Sequence, residues 1–204
     1  MIYCYTGVPG SGKSLHAMQD ISDYLRFKGC PVIANFPINL GNLKKQKAPF
    51  KYAPNSKITP DRLIQLSKNW YSKNDFSESG ILLVIDEAQM MLNTREWMAK
   101  DRLEWIHFFT NSRHYGYKII LCCQFLEMID KQIRGCIEIE VEHRNFKNFG
   151  IVGWLLSCVF GGKVFICIDR YIGVTKKIGT HWVLGRRHLY KLYDSYAVDI
   201  FKAG

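Results

Sequence analysis

Gly7-Val8-Pro9-Gly10-Ser11-Gly12-Lys13-Ser14 has the spacing G-x-x-x-x-G-K-[ST]. Glycines in such a run let the backbone bend until successive N–H groups point at phosphate oxygens. The lysine then reaches the β- and γ-phosphates and the final hydroxyl binds Mg²⁺. The chemistry implied is the binding of ATP with Mg²⁺. Gly7, Val8, Pro9, Gly10, Ser11, Gly12, Lys13, Ser14 and Leu15 form the nucleotide contact, and Ser14 is one of the metal ligands. A glycine-rich turn that binds nothing has similar residues, and Pro9 marks any tight turn. The flanks decide for the nucleotide. Ile2 to Thr6 reads as a strand. Ser14 to Lys28 has helical periodicity, with Leu15, Met18, Ile21 and Leu25 on one face. The helix adds its positive end to the phosphate site.

A second set of residues suits hydrolysis. Ile81-Leu82-Leu83-Val84-Ile85 is an apolar run that ends in Asp86-Glu87. Asp86 at a strand end is placed to hold Mg²⁺, and Glu87 to polarise an attacking water. A kinase needs no water-directed base, so Glu87 tilts the reading towards an ATPase. An acidic cap on a following helix would use the same residue types. Gln124 ends the run Ile119 to Cys123. The carboxyl ends of parallel strands share one crevice, which puts Gln124 near the γ-phosphate. Arg113 closes the preceding helix in Arg113-His114-Tyr115-Gly116. It is either a cation meeting the last carbonyls of a helix or an arginine finger acting across a subunit interface.

The elements that must position these residues alternate up to about residue 143. Strands are expected at 2–6, 31–35, 81–85, 118–123 and 136–141, and helices at 14–28, 60–71, 100–115 and 128–134. Thr59-Pro60 pairs an N-cap residue with proline at the first helical position. Phe36 to Ser56 reads as a long polar loop. Such alternation gives an α/β fold, a parallel sheet with helices on both faces. Past it, 164–168, 170–174 and 181–184 read as short antiparallel strands separated by glycines. The chain therefore divides into a core at 1–143 and a small β-rich appendage at 144–204.

The 204 residues carry a net charge of +10, which suggests a polyanionic partner, nucleic acid or an anionic membrane face. Lys44, Lys45, Lys47 and Lys51 form one basic cluster; Lys176, Lys177, Arg186, Arg187 and Lys191 form another, with Phe50, Tyr52, Trp182 and Tyr190 among them. Such mixtures bind single strands or a cytoplasmic leaflet, and are also found on plain solvated faces. The seven cysteines show no C-x-x-C and the six histidines no H-x-x-x-H, which argues against a zinc site and a disulfide framework. The uncharged stretch Asn148 to Gly162 falls short of the roughly 20 apolar residues of a spanning helix; a buried or interfacial helix is expected.

Several of these stretches together resemble the cytosolic domain of the zonular occludens toxin family, which includes the filamentous-bacteriophage assembly ATPases. They are Gly7–Ser14 at the N-terminus, Leu83-Val84-Ile85-Asp86-Glu87-Ala88-Gln89, Ser112-Arg113-His114-Tyr115-Gly116, Gln124, and Tyr190-Lys191-Leu192-Tyr193-Asp194-Ser195-Tyr196. The resemblance implies a P-loop NTPase core of the RecA/FtsK–HerA-like kind, related to hexameric DNA-pumping ATPases. It implies a motor that drives assembly and extrusion of a single-stranded DNA phage from the cytoplasmic face of the host inner membrane. The partners so implied are ATP, further copies of the chain in a ring, phage coat proteins or the phage DNA complex, and host inner-membrane export proteins. On that likeness Lys13 and Ser14 hold phosphate and Mg²⁺, Asp86 holds Mg²⁺ and Glu87 acts on water. Gln124 senses phosphate, and Arg113 is a finger in trans. A translocase acting directly on DNA is the alternative. The sequence departs from the family at Cys122-Cys123, where an aliphatic and a small hydroxyl residue are expected. It also ends at Gly204 without the usual transmembrane helix, as an excised soluble domain would.

Overall fold

An apolar run without alternation belongs where both faces of a sheet are covered, and the computed structural model puts Ile81–Ile85 there, all five residues buried. Leu82 and Val84 join one core cluster, while Ile81, Leu83 and Ile85 join the other on the opposite face. Residues 1–43, 45–93, 99–148, 150, 164–174 and 176–193 are described.

The strands are β1 (Ile2–Thr6), β2 (Val32–Ala34), β3 (Phe50–Tyr52), β4 (Ile81–Ile85), β5 (Tyr117–Cys122), β6 (Ile139–Asn145), β7 (Val164–Tyr171) and β8 (Lys176–Leu184). They form a single sheet in the order β3-β2-β4-β5-β1-β6-β7-β8. The pairings from β3 through to β6 are parallel; β6–β7 and β7–β8 are antiparallel. This is the mostly parallel sheet with flanking helices that the alternation predicts.

Helix α1 (Lys13–Asp23) covers one face with Leu15, Ala17, Met18 and Ile21 buried. It continues through a π-helical turn, Tyr24–Lys28, and stops at Gly29 with φ 65°. Helices α2 (Pro60–Tyr71) and α3 (Ala99–Thr110) cover the other face. The Thr59 hydroxyl accepts from the Arg62 N–H at 3.5 Å, so α2 begins where its proline and cap predict.

Four differences from the sequence reading have physical causes. The 36–56 loop contains β3, an exposed edge strand whose central lysine and short length hide it. On α3 the spacing of Leu103, Ile106, Phe109 and Arg113 predicts one apolar stripe, but the buried residues are Trp105, Phe108 and Phe109, while Leu103 is 65% exposed. β6 starts later and runs longer than expected, because its polar residues Glu142, His143 and Arg144 still pair with β7. The short strands expected between 164 and 184 are two long ones that extend the main sheet, with one irregularity at Asp169/Arg170. Of the stretch Asn148 to Gly162, only Asn148 and Gly150 are among the described residues. Lys44 and Arg187 lie wholly or in their side chains outside them; the other lysines and Arg186 of the two basic clusters are exposed.

Antiparallel pairing also aligns His143, Cys167 and His181 as direct cross-strand partners on β6, β7 and β8. His16 of α1 packs against them, its ring stacked on Tyr5 at 4.5 Å. Burial lowers His16 to about 4 and His143 to about 3, so both rings are neutral near pH 7.

Candidate active site

Parallel pairing brings the carboxyl ends of β1, β2, β4 and β5 to one edge, and each is followed there by a polar residue or the glycine loop. β1 ends at Thr6, and the chain turns at Gly7 with φ 137°. A Cβ at Gly7 would lie 2.5 Å from the His143 carbonyl oxygen, so the approach of these two backbones requires glycine. Gly12, at φ 98°, is the residue that launches α1, and a Cβ there would meet the Phe165 ring at 2.5 Å. The loop therefore rests on β6 on one side and on β7 on the other.

The Lys13 ammonium is folded over the loop, donating to the carbonyls of Gly7 at 2.6 Å and Val8 at 3.2 Å. It is 9% exposed, and among the described residues no carboxylate pairs with it. A buried cation with only dipoles around it favours an arriving anion. The Ser11 hydroxyl is buried in the same loop without a hydrogen-bond partner. The Gly7 N–H donates to the Gln124 carbonyl at 3.1 Å, which ties the loop to the end of β5.

Asp86 stands opposite the loop. The Ser14 hydroxyl donates to its Oδ2 at 3.1 Å. Two hard oxygen donors at that separation match one edge of the octahedron Mg²⁺ demands, about 2.9 Å long for bonds of about 2.05 Å, so the residues present fit that ion. The Asp86 main chain is fixed on both sides by Asn35, whose Oδ1 accepts its N–H at 2.7 Å and whose Nδ2 donates to its carbonyl at 2.8 Å. Tyr193 also donates to Asp86 Oδ2, at 3.1 Å. Burial and the Asp86 charge push the Tyr193 phenol well up, so it stays protonated and remains a donor.

Glu87 follows in the left-handed region, at φ 49° and ψ 47°. A non-glycine residue held there stores strain of about 1–3 kcal/mol, a feature concentrated at functional sites. Its exposed carboxylate accepts from the Gln89 side chain. Gln124 lines a cleft of about 590 Å³ with Thr6, Gly7, Val8, Glu140 and Glu142. A second cleft, about 390 Å³, runs along Gly10, Gly12, Lys13, Ser14 and Leu15, and is walled by Phe165, Leu189, Tyr190 and Tyr193.

The fold thus brings Gly7–Leu15, Asp86 and Gln124 to one edge, with Glu87 next in the chain to Asp86. Arg113 is not among them. It precedes β5 at the opposite edge of the sheet, paired with Glu138 and 55% exposed in its side chain. The length of β1, about 17 Å at 3.3 Å per residue, separates it from the loop of its own chain. Sequence reasoning missed Asn35, Phe165 and Tyr193. Asn35 carried the same signal as Gln124, a polar amide just past an apolar strand. Phe165 carried none, since it reaches the site from an antiparallel strand, and Tyr193, just past the helix Arg187–Leu192, was marked only as part of the tyrosine-rich stretch of the resemblance.

Sheet order and phosphate loop define the P-loop NTPase fold. The chain belongs to the zonular occludens toxin family, whose model matches residues 1–199. It is 31% identical over 95% of its length to the Gene 1 protein of Enterobacteria phage fd, of which the match covers 59%. The chain thus spans about three-fifths of that curated relative. Its fold is similar to the N-terminal domain of zonular occludens toxin from Neisseria meningitidis. There the TM-score is 0.58 and the identity 17%, over 95% of this chain and 98% of that one. It is also similar to the genome packaging NTPase B204 of Sulfolobus turreted icosahedral virus 2, solved with ATP-gammaS. There the TM-score is 0.55 and the identity 16%, over 88% and 96%. Among the described residues no helix is long and apolar enough to cross a membrane.

Proposed function

We propose that the chain is a Mg²⁺-dependent ATPase and the motor for assembly and extrusion of a filamentous, single-stranded DNA phage. It acts at the cytoplasmic face of the host inner membrane, as a hexameric ring. The observation that carries the ATPase reading is Ser14 of the phosphate loop donating to Asp86 across the crevice. The phage role rests on the family and on the fd relative.

In this reading the loop N–H groups and Lys13 hold the β- and γ-phosphates, with Lys13 exchanging two carbonyls for an anion. Ser14 and Asp86 hold Mg²⁺, which neutralises charge on the phosphates. The cleft walled by Phe165, Leu189, Tyr190 and Tyr193 suits the base and ribose. Glu87 accepts the proton of a water whose oxygen attacks the γ-phosphorus as the bond to the bridging oxygen breaks. Gln124 orients that water or the γ-phosphate. Arg113 acts on the crevice of a neighbouring copy, since its own is at the other edge of the sheet.

Hydrolysis rate measured against protein concentration, with and without single-stranded DNA, tests this. Turnover should rise more steeply than linearly with concentration. Glu87→Gln should remove turnover while ATP binding stays, and Arg113→Ala should reduce it. Linear, monomeric turnover unaffected by Arg113→Ala would remove the finger in trans. The likeness to a genome packaging NTPase favours a second reading, direct pumping of nucleic acid. Strong, salt-dependent stimulation by DNA would select it.

A further inference from the structure

A row of side chains joins the phosphate-loop helix to the antiparallel end of the sheet and takes no part in the nucleotide chemistry. His143, Cys167 and His181 are direct cross-strand partners on β6, β7 and β8. Partners so placed share one face, with Cβ atoms about 5 Å apart. His16 meets the row from α1. Its Nδ1 lies 2.9 Å from His143 Nε2 and 3.9 Å from Cys167 Sγ. One donor atom each from His16, Cys167 and His181 fall within 4.8 Å of one another.

The other nitrogen of every ring faces an oxygen. His143 Nδ1 is 2.9 Å from the Val141 carbonyl, and His181 Nδ1 is 3.1 Å from Asp169 Oδ2. His16 Nε2 is 3.9 Å from Asp20 Oδ2. The second oxygen of Asp169 is buried without a hydrogen-bond partner. An imidazole that gives its N–H to an oxygen on one side presents a lone pair on the other, which is how metal-ligating histidines are oriented.

We propose that His16 Nδ1, Cys167 Sγ and His181 Nε2 form a site for one borderline-soft divalent ion, Zn²⁺ in the first instance, with His143 beside it against His16. Imidazole and thiolate donors select such ions over Mg²⁺ and Ca²⁺, which require oxygen. With Zn–N bonds of about 2.0 Å and a Zn–S bond of about 2.3 Å, a tetrahedron has N–S edges near 3.5 Å and N–N edges near 3.3 Å. The 3.9 Å pair of His16 and Cys167 closes by a few tenths of an ångström. On binding, the proton His16 Nδ1 gives to His143 moves to His16 Nε2, facing Asp20, and the thiol proton leaves to solvent. Three protein ligands leave the fourth position to water. The ion pins α1, two residues past Ser14, to β7 and β8.

The test uses the whole chain, stripped of metal with a chelator, without nucleotide, and titrated with Co²⁺. One equivalent should produce a thiolate-to-cobalt charge-transfer band and the intense d–d bands of a tetrahedral ion. Zn²⁺ should displace it and raise the thermal midpoint. Cys167→Ser should abolish the charge-transfer band, and His181→Ala should weaken binding at least about tenfold. Cys136→Ser should change neither. Wild-type protein lacking the charge-transfer band, or a band unchanged in Cys167→Ser, overturns the proposal. The wild-type arm decides even if a variant fails to fold, and no arm depends on ATP hydrolysis.

Discussion

The nucleotide crevice and the histidine row lie along one helix, with Ser14 facing the first and His16 the second, yet they are built on opposite principles. The crevice takes most of its shape from the backbone of one contiguous segment. Its glycines meet neighbouring atoms so closely that no Cβ fits at Gly7 or Gly12. The row takes nothing from local backbone. It consists of side chains from α1, β6, β7 and β8, aligned by strand register and by the packing of α1. A backbone site fails when a side chain is added; a side-chain site fails when one is removed.

The largest expected effect is on the crevice. Lys13→Ala should weaken ATP binding by about a hundredfold or more, as loss of a charge-assisted phosphate contact at a buried position does. Its unfolding free energy should change by less than about 1.5 kcal/mol, since the cost of burying an unpaired ammonium goes together with its two carbonyl contacts. Nucleotide titration beside urea denaturation checks both. A large loss of stability would break the distinction between the two regions.

Gly12→Ala comes next. It sets a Cβ on the Phe165 ring at a positive φ, and should cost about 1–3 kcal/mol. Paired with Phe165→Ala, the double variant should be less destabilised than the two single costs added together. Additive costs would show that the loop does not rest on β7.

Tyr193→Phe sharpens the comparison further, because it removes a side-chain contact from the backbone-built site. Asp86 loses a donor that competes with a cation. Affinity for Mn²⁺ with nucleotide, read by electron paramagnetic resonance, should rise by about two- to tenfold, the worth of one hydrogen bond. A fall would mean that Tyr193 orders the site instead.

The smallest effect is on β6, beside His143. Burial raises the Glu142 carboxyl, but hydrogen bonds from Arg144 and Arg170 outweigh that and leave it below the usual carboxylate range. A carboxyl lowered on folding contributes stability that is present above its unfolded value, about 4.3, and lost as pH falls through its folded one. Glu142→Gln should thus cost less than about 1 kcal/mol at neutral pH. The difference in urea midpoints should vanish in strong acid.

How much could be read from the residues follows the same division. The loop, Asp86, Glu87 and Gln124 each sit at a strand end within one local pattern, so spacing found them. Helix α2 was legible to the residue, because Thr59 and Pro60 act over a single turn. β3 was not, since an edge strand needs no apolar face. Nor was the histidine row. Residues 16, 143, 167 and 181 have no shared spacing for a motif to find. The antiparallel register of β6, β7 and β8 aligns 143, 167 and 181, and the packing of α1 brings 16 to them. Arg113 was legible as a residue type but not as a place, and its position at the far edge narrows any role in catalysis to a neighbour's crevice.

Asn35 holds both backbone groups of Asp86, so the carboxylate turns about a fixed post. On that post the phosphate-loop helix, through Ser14, and Tyr193, the residue just past the last described helix, share a single oxygen. Thermodynamic linkage makes the sharing reciprocal. A cation that takes Oδ2 loosens Tyr193 by some factor, and drawing Tyr193 away tightens the cation by that same factor. Movement of the Arg187–Leu192 segment and occupancy of Asp86 Oδ2 are thereby coupled through one oxygen.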